Sequence, residues 1–230
     1  MRKSLILLTL DEIAGSRALF SSLPLDQFDE VLVVDGGSQD GTVKFFLDRG
    51  VKVVGQERRG RGEAFRVGAA NTTGDILLFY SPDGNEDPED IMRLIKRIES
   101  GADLAIASRF APGSRNEEDD SWLRPRAWVN QALTCIANIL FRRGPYVTDT
   151  INGFRAIRRD LFEALHLDEC GFPIEYQMSI RAMKMRANIS EIPTTEGNRI
   201  GGESKCYSFP VGWGHVKVLV REILGLLPHP

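Results

Sequence analysis

Nowhere does the 230-residue chain contain the run of about 20 apolar residues that a membrane-spanning helix requires, so it is not expected to cross a bilayer by itself. Cysteine is scarce: Cys135, Cys170 and Cys206 are odd in number and scattered, without metal-ligand spacing. That pattern suits reduced thiols in a cytosolic protein. No charge of one sign dominates, since 29 basic residues stand against 32 acidic ones for a net charge of −3. A general nucleic-acid binder would carry a strongly basic footprint, so nucleic acid is not an expected partner. No cleavable signal is expected either, because the apolar run at 4–10 is short and Asp11-Glu12 follows it directly; it reads as the first strand. Repeats and low-complexity linkers are absent. What is there is an ordinary globular composition, 42% hydrophobic and 27% charged, in a length that suits one large domain or two small ones.

Strand-like apolar runs at 4–10, 30–35, 51–55, 75–80 and 103–108 alternate with helical patterns near 14–22, 41–48, 62–71 and 88–100. Strands that are apolar throughout and separated by helices predict a mostly parallel sheet covered on both faces. Residues 1–110 therefore read as a nucleotide-binding α/β half of doubly wound type. Beyond them the pattern changes. Residues 122–141 predict one helix with an apolar stripe at Trp122, Val129, Leu133, Ile136 and Leu140, and with Arg124, Arg126, Arg142 and Arg143 at its ends. Two readings stay open for it: a core helix of a second layer, or an interfacial helix lying on a membrane. The run 216–227 predicts a second amphipathic helix, interrupted by Lys217, Arg221 and Glu222. The acidic run Asn116–Asp120 reads as a solvated loop leading into a helix N-terminus, where negative charge is favourable.

The most informative segment is Ser81-Pro82-Asp83-Gly84-Asn85-Glu86-Asp87-Pro88, directly after the strand at 75–80. It releases Asp83 and Asn85 on the carboxyl rim of the sheet, where open α/β sheets bind ligands. Carboxylate and amide oxygens suit Mg²⁺ or Mn²⁺, although an acidic turn capping the next helix would look the same. In Val33–Thr42, a strand ends at Asp35, which can bond a base or ribose hydroxyl, and Asp40 can cap the following helix. The basic glycine segment Arg58-Arg59-Gly60-Arg61-Gly62 is either a flexible surface loop or a contact for an anionic ligand. Near the C-terminus, Arg199-Ile200-Gly201-Gly202-Glu203-Ser204-Lys205 offers a guanidinium fork and a point charge to a diphosphate.

Taken in order, Thr9–Glu12, Val34–Thr42, Gly60–Ala64, Ser81–Pro88, Ala107-Ser108-Arg109 and Gly202–Lys205 resemble the inverting family 2 glycosyltransferases of GT-A fold. Within that family the chain is most similar to the dolichyl-phosphate mannose synthase and polyprenyl-phosphate glycosyltransferase branch. Asp149-Thr150-Ile151-Asn152-Gly153-Phe154-Arg155-Ala156 is similar to that branch's D-x-x-S-G-F-R-A. The resemblance implies a GT-A domain over 1–210, with a nucleotide-binding half at 1–110 and an acceptor half at 111–210, followed by an amphipathic helix at 211–230. It implies a metal at Asp83 and Asn85, and nucleotide binding by Glu12, Asp35, Arg61, Pro82 and Arg109. It also implies that Asp149, Arg199 and Lys205 are catalytic.

The implied reaction displaces a nucleoside diphosphate, GDP or UDP, from a sugar with inversion, aided by Mg²⁺ or Mn²⁺. The implied acceptor is a polyprenyl phosphate, on a protein that is cytoplasmic and peripheral to the membrane. A hydroxyl acceptor would need a base, for which Asp149 and Glu175 are the candidates. The chain departs from the family's pattern at Ser81, where the first Asp of Asp-x-Asp is usual, at Leu8-Thr9-Leu10, where Pro-x-Tyr is usual, and at Gly36, which replaces a frequent Asp. A soluble sugar or protein acceptor, a sugar nucleotidyltransferase and a non-catalytic nucleotide-binding module are the alternatives.

Overall fold

A computed structural model of the chain describes residues 1–119, 122–201 and 208–225. Seven strands form one sheet: β1 (Lys3–Thr9), β2 (Glu30–Asp35), β3 (Lys52–Gly55), β4 (Ile76–Tyr80), β5 (Leu104–Ser108), β6 (Arg155–Arg158) and β7 (Ile189–Pro193). Their order is β3-β2-β1-β4-β6-β5-β7. All neighbours run parallel except β6, which is antiparallel to both β4 and β5. The helices are α1 (Ile13–Leu19), α2 (Thr42–Leu47), α3 (Arg61–Ala70), α4 (Asp90–Glu99), α5 (Pro125–Phe141), α6 (Arg159–Ala164), α7 (Ile174–Lys184) and α8 (Ser208–Leu224).

The strands lack polar alternation because both faces of the sheet are covered. Successive side chains of a strand point to opposite sides. Leu5 and Leu7 of β1 join Phe46 of α2 and Ile91, Leu94 and Ile95 of α4 on one side. Ile6 and Leu8 join Phe65 of α3, Ala137 of α5, Ile180 of α7 and Val218 of α8 on the other. There the rings of Phe65 and Phe79 stack with centroids 4.0 Å apart. One sheet thus runs through both the expected nucleotide half and the expected acceptor half.

Strand direction decides what meets at the carboxyl edge. Parallel β1, β2, β4, β5 and β7 deliver the loops that follow them to this edge, whereas antiparallel β6 delivers the loop that precedes it. Residues 149–154, far along the chain, therefore arrive beside Arg109. The patterning foresaw the first five strands within a residue or so, but not β6 or β7, which are short and carry polar residues.

The helix expected over 122–141 begins only at Pro125, a residue suited to the first helical turn because its missing N–H is not needed there. Trp122 therefore lies outside it, 92% exposed. The acidic run before α5 serves its N-terminus: Glu118 accepts a hydrogen bond from the Ala127 backbone N–H at 3.0 Å. Glu117 and Asp119 pair with Arg126 and Arg124 at 2.8 and 2.6 Å. The C-terminal helix spans Ser208–Leu224 and is bound to the body through Glu222, which pairs with Arg181 at 2.7 Å and Lys184 at 2.6 Å. Among the described residues no helix is long and apolar enough to cross a membrane.

Candidate functional site

Asp83 stands in the loop after β4, where its Oδ1 accepts the Asn85 backbone N–H at 3.0 Å. Its Oδ2 accepts Nη1 of Arg199 at 2.8 Å, and Arg199 also donates through Nη2 to Oε1 of Glu12. One guanidinium thus links the end of β1 to the end of β4. The segment carrying it is zipped onto the Asp83 loop by Ile200 N–H to Asp83 C=O at 2.7 Å and Gly197 N–H to Asn85 C=O at 2.9 Å. Gly84 makes that approach possible: its φ is +98°, and a Cβ there would lie 2.6 Å from Ile200 Cγ1. Beside it, Oδ1 of Asn85 is buried and accepts no hydrogen bond among the described residues.

Next to this bridge lies a second guanidinium. Arg61, the first residue of α3, donates to Oε1 of Glu175 and to Oγ of Ser81 at 3.1 Å, and lies 3.9 Å from Oε1 of Glu86. Gly153 opens the space for it, since a Cβ there would meet Nη2 of Arg61 at 2.0 Å and Oε1 of Glu175 at 2.8 Å. The segment around Arg61 is not a free surface loop. Gly62 N–H donates to Cys170 C=O at 2.8 Å, and Arg66 holds Glu63 at 2.6 Å. Glu86 accepts the Ser81 N–H at 2.7 Å. Burial, reinforced by Asp83 and opposed by Arg61, pushes its carboxyl up to about 8.

Arg109 and Asp149 form a buried pair, Nε to Oδ2 at 2.8 Å and Nη2 to Oδ1 at 3.1 Å. Asp149 is fully buried and also accepts N–H groups of Arg109, Ile151 and Asn152. Burial alone would raise its carboxyl, but Arg109 and these donors hold it below the usual range. Its oxygens are engaged in orienting Arg109 and closing the turn before β6. Glu191 of β7 braces the same turn, accepting from Thr148 N–H and Asp149 N–H at 2.8 and 2.9 Å.

Asp35 is likewise engaged. Its carboxylate takes Gly37 N–H, Ser38 N–H and Thr9 Oγ1 at 2.9, 2.8 and 2.9 Å, and Ser38 Oγ at 2.5 Å. Asp40 serves two helix starts, accepting Ile13 N–H and Thr42 N–H at 2.9 Å each. Pro82 is buried, its carbonyl against the first turn of α1 at Gly15. Lys205 and Cys206 lie outside the described residues, while Cys135 and Cys170 are exposed and unbridged.

The structure thus gathers Glu12, Asp83, Asn85 and Arg199 around one point and places Arg61 on the adjoining wall. Sequence reasoning missed the part of Glu86, which sits inside the motif. Its burial comes from tertiary packing, including the Tyr80 hydroxyl that donates to its backbone carbonyl at 3.0 Å. Fully buried Arg155 was missed too. It donates to the carbonyls of Asn152 and Glu175 at 2.8 and 3.0 Å, and burial lowers it to about 10.

A mostly parallel sheet with an acid-and-arginine rim after β4 is the architecture of GT-A glycosyltransferases, and the comparisons agree. The profile of glycosyl transferase family 2 matches residues 5–165, and the chain belongs to that family. It is 30% identical to the polyprenol monophosphomannose synthase of Mycolicibacterium smegmatis over 86% of this chain and 77% of that protein. It is 31% identical to the undecaprenyl-phosphate mannosyltransferase of Micrococcus luteus, over 82% and 80%. With the dolichol-phosphate mannosyltransferase of Pyrococcus furiosus it shares 29% identity over 89% of its own length, but spans only 59% of that relative. Glucosyl-3-phosphoglycerate synthase from Mycobacterium tuberculosis in complex with UDP superposes with a TM-score of 0.77 at 22% identity, over 99% of this chain and 81% of that one. The same enzyme with Mn²⁺, UDP and glucosyl-3-phosphoglycerate gives 0.73 at 21%, over 99% and 81%.

Proposed function

We propose that this protein transfers a hexosyl group, with inversion, from a GDP- or UDP-linked sugar to a polyprenyl phosphate at a membrane surface. The observation that carries the reading is the Glu12–Arg199–Asp83 bridge, which gathers acid and guanidinium groups at the carboxyl edge beside an unpartnered Asn85 oxygen. The names of the mycobacterial and Micrococcus relatives support the acceptor class, and the complexes of the structural neighbour support a nucleotide and Mn²⁺.

The donor set fits a divalent cation. Asp83 and the buried, unpartnered Asn85 Oδ1 are hard oxygen donors. Among the described residues no three acidic, histidine or cysteine side chains are grouped so as to hold a metal ion by themselves. Mg²⁺ and Mn²⁺ tolerate this, because water and phosphate oxygens complete their shell. Asp83 and Asn85 would hold the ion, which when bound neutralises charge developing on the leaving diphosphate.

Arg199 would leave Asp83 and turn its fork to that diphosphate, with Lys205 adding a point charge. Glu12 and Asp35 would hold the base and ribose end, and Arg61, Pro82 and Arg109 would wall the nucleotide pocket. A phosphate acceptor is already ionised and requires no proton acceptor. An Asp149 bound to Arg109 is compatible with that chemistry. The outward-facing Trp122 and Trp128, 92% and 56% exposed, support peripheral contact with a bilayer on the cytoplasmic side.

The test is a thermal-shift screen against GDP, UDP, CDP and dTDP sugars with and without Mn²⁺, followed by a transfer assay with the stabilising donor. Nucleoside diphosphate release that requires polyprenyl phosphate is expected. Release driven instead by a soluble sugar or protein would relocate the acceptor, pyrophosphate release would indicate a nucleotidyltransferase, and no turnover would leave a binding module.

A further inference from the structure

We propose that the cleft between the C-terminal ends of α5 and α7 binds the phosphate of an anionic phospholipid headgroup, and so sets how the outer face of α5 sits on a bilayer. This rests on the membrane reading above. The cleft has a cavity volume of about 50 Å³ and is lined by Arg142, Arg143, Arg186, Pro145, Val147 and Met183. All three arginines are exposed. Among the described residues none of them pairs with a carboxylate: Arg143 donates only to the Arg142 carbonyl, at 3.4 Å, and Arg142 lies 5.9 Å from the Tyr146 ring.

Two helix ends point their carbonyls toward this region, and such ends attract cations. Each carries only about half a negative charge, so together they offset one of the three arginines. Among the described residues no carboxylate pairs with the remainder. Arg186 is fixed in place by the cap of α7: at φ +60° its N–H donates to Met183 C=O at 3.1 Å and the Ala187 N–H to Ala182 C=O at 3.0 Å, so its guanidinium starts from an anchored backbone.

The neighbourhood selects the ligand. Every exposed residue of α5 between Ala127 and Phe141 is Trp128, Val129, Ala132, Cys135, Ile136, Ile139 or Leu140, with no charge among them. Arg142 and Arg143 follow immediately, and Tyr146 is exposed next to them. An apolar helix face ending in unpaired guanidinium groups and a tyrosine matches the boundary between acyl chains and phosphate headgroups. A dissolved oxyanion would require the arginines but not the stripe. The cleft lies at the opposite end of α5 from Arg124 and Arg126, whose charges are matched by Asp119 and Glu117.

The experiment uses the full chain and the R142A/R143A/R186A variant, sedimented with vesicles of phosphatidylcholine alone or mixed with phosphatidylglycerol. The wild type should prefer the anionic vesicles, and the variant should lose that preference by about fivefold per arginine removed. Its nucleotide-dependent thermal shift should stay unchanged, which shows that it is folded with an intact rim. Equal wild-type binding to both vesicle types, or a variant that behaves as the wild type, would overturn the cleft while leaving the membrane reading in place. No sedimentation with either vesicle would remove the membrane reading and the cleft with it. An Arg186 amide that responds to inorganic phosphate, in a protein indifferent to vesicle charge, would assign the cleft to a free oxyanion and overturn the lipid assignment.

Discussion

At the carboxyl edge of the sheet, charged side chains are buried or half-buried and matched: Arg109 with Asp149, Arg61 with Glu175, Arg199 with Asp83 and Glu12. On the outer face of α5 the arrangement is reversed, with Ile139 76% exposed and the arginines that follow left unpaired. Burying ions requires a desolvation penalty that pairing only roughly offsets, so matched pairs at the rim contribute position more than stability. An exposed apolar stripe gains nothing from water, and such patches mark surfaces that meet something else. The charges of the rim are matched within the chain, whereas the outer face of α5 is left uncovered by the described residues.

The largest expected effect tests the completeness of the rim. Asp149→Asn removes the charge that balances Arg109, whose remaining acidic neighbour, Glu196, is 3.7 Å away. Breaking one side of a buried pair should destabilise the protein by about 3–5 kcal/mol in a urea unfolding titration. A loss below about 1 kcal/mol would place this pair with ordinary surface bridges and erase the contrast.

Glu86 comes next. Its folded carboxyl titrates near 8 against an ordinary 4.5, so the folded state holds the proton more tightly. Its contribution is therefore fully present below about pH 4.5 and is lost as pH rises through about 8. Glu86→Gln should remove a few kcal/mol of this pH dependence and leave the variant relatively more stable at pH 8 than the wild type. Parallel curves from unfolding titrations between pH 5 and 8 would show that Glu86 is ionised and compensated like its neighbours.

Asp83→Ala should weaken Mn²⁺-dependent nucleotide binding about 100-fold, or about 2.7 kcal/mol, by calorimetry. Stability should change by only about 1 kcal/mol, because the Arg199 pair is partly exposed. Unchanged metal dependence would move the ion site elsewhere. The smallest effect on folding is expected on the other side of the comparison. Trp128→Ser should alter stability by no more than about 0.5 kcal/mol while reducing association with anionic vesicles. A larger stability loss would reveal that Trp128 packs within the protein.

Much of this was legible in local pattern. Apolar runs bounded by turn residues located β1 to β5, and the residues released at their ends include Glu12, Asp83 and Arg109. Those features depend on neighbours within one strand and one turn. The strand β6 was not legible, because Arg155–Arg158 is four residues long and polar at both ends, so only pairing with β4 and β5 makes it a strand. The start of α5 at Pro125 rather than Trp122 shows the same limit, because an apolar stripe does not mark where helical backbone begins.

The alternation of strands and helices, the chemistry offered at each strand end and the family resemblance are all written in short, contiguous stretches of sequence. Tertiary structure decided which of those groups meet and in what state. Arg61 and Glu175 are 114 residues apart, and Arg109 and Asp149 are 40 apart. Their pairing depends on the reversed direction of β6 and on the space left by Gly153. Exposure was decided there as well. A helix with an apolar stripe can turn that stripe inward or outward, and α5 buries Ala137 and Phe141 while leaving Trp128 and Ile139 facing out, because the sheet has room for only one of its faces.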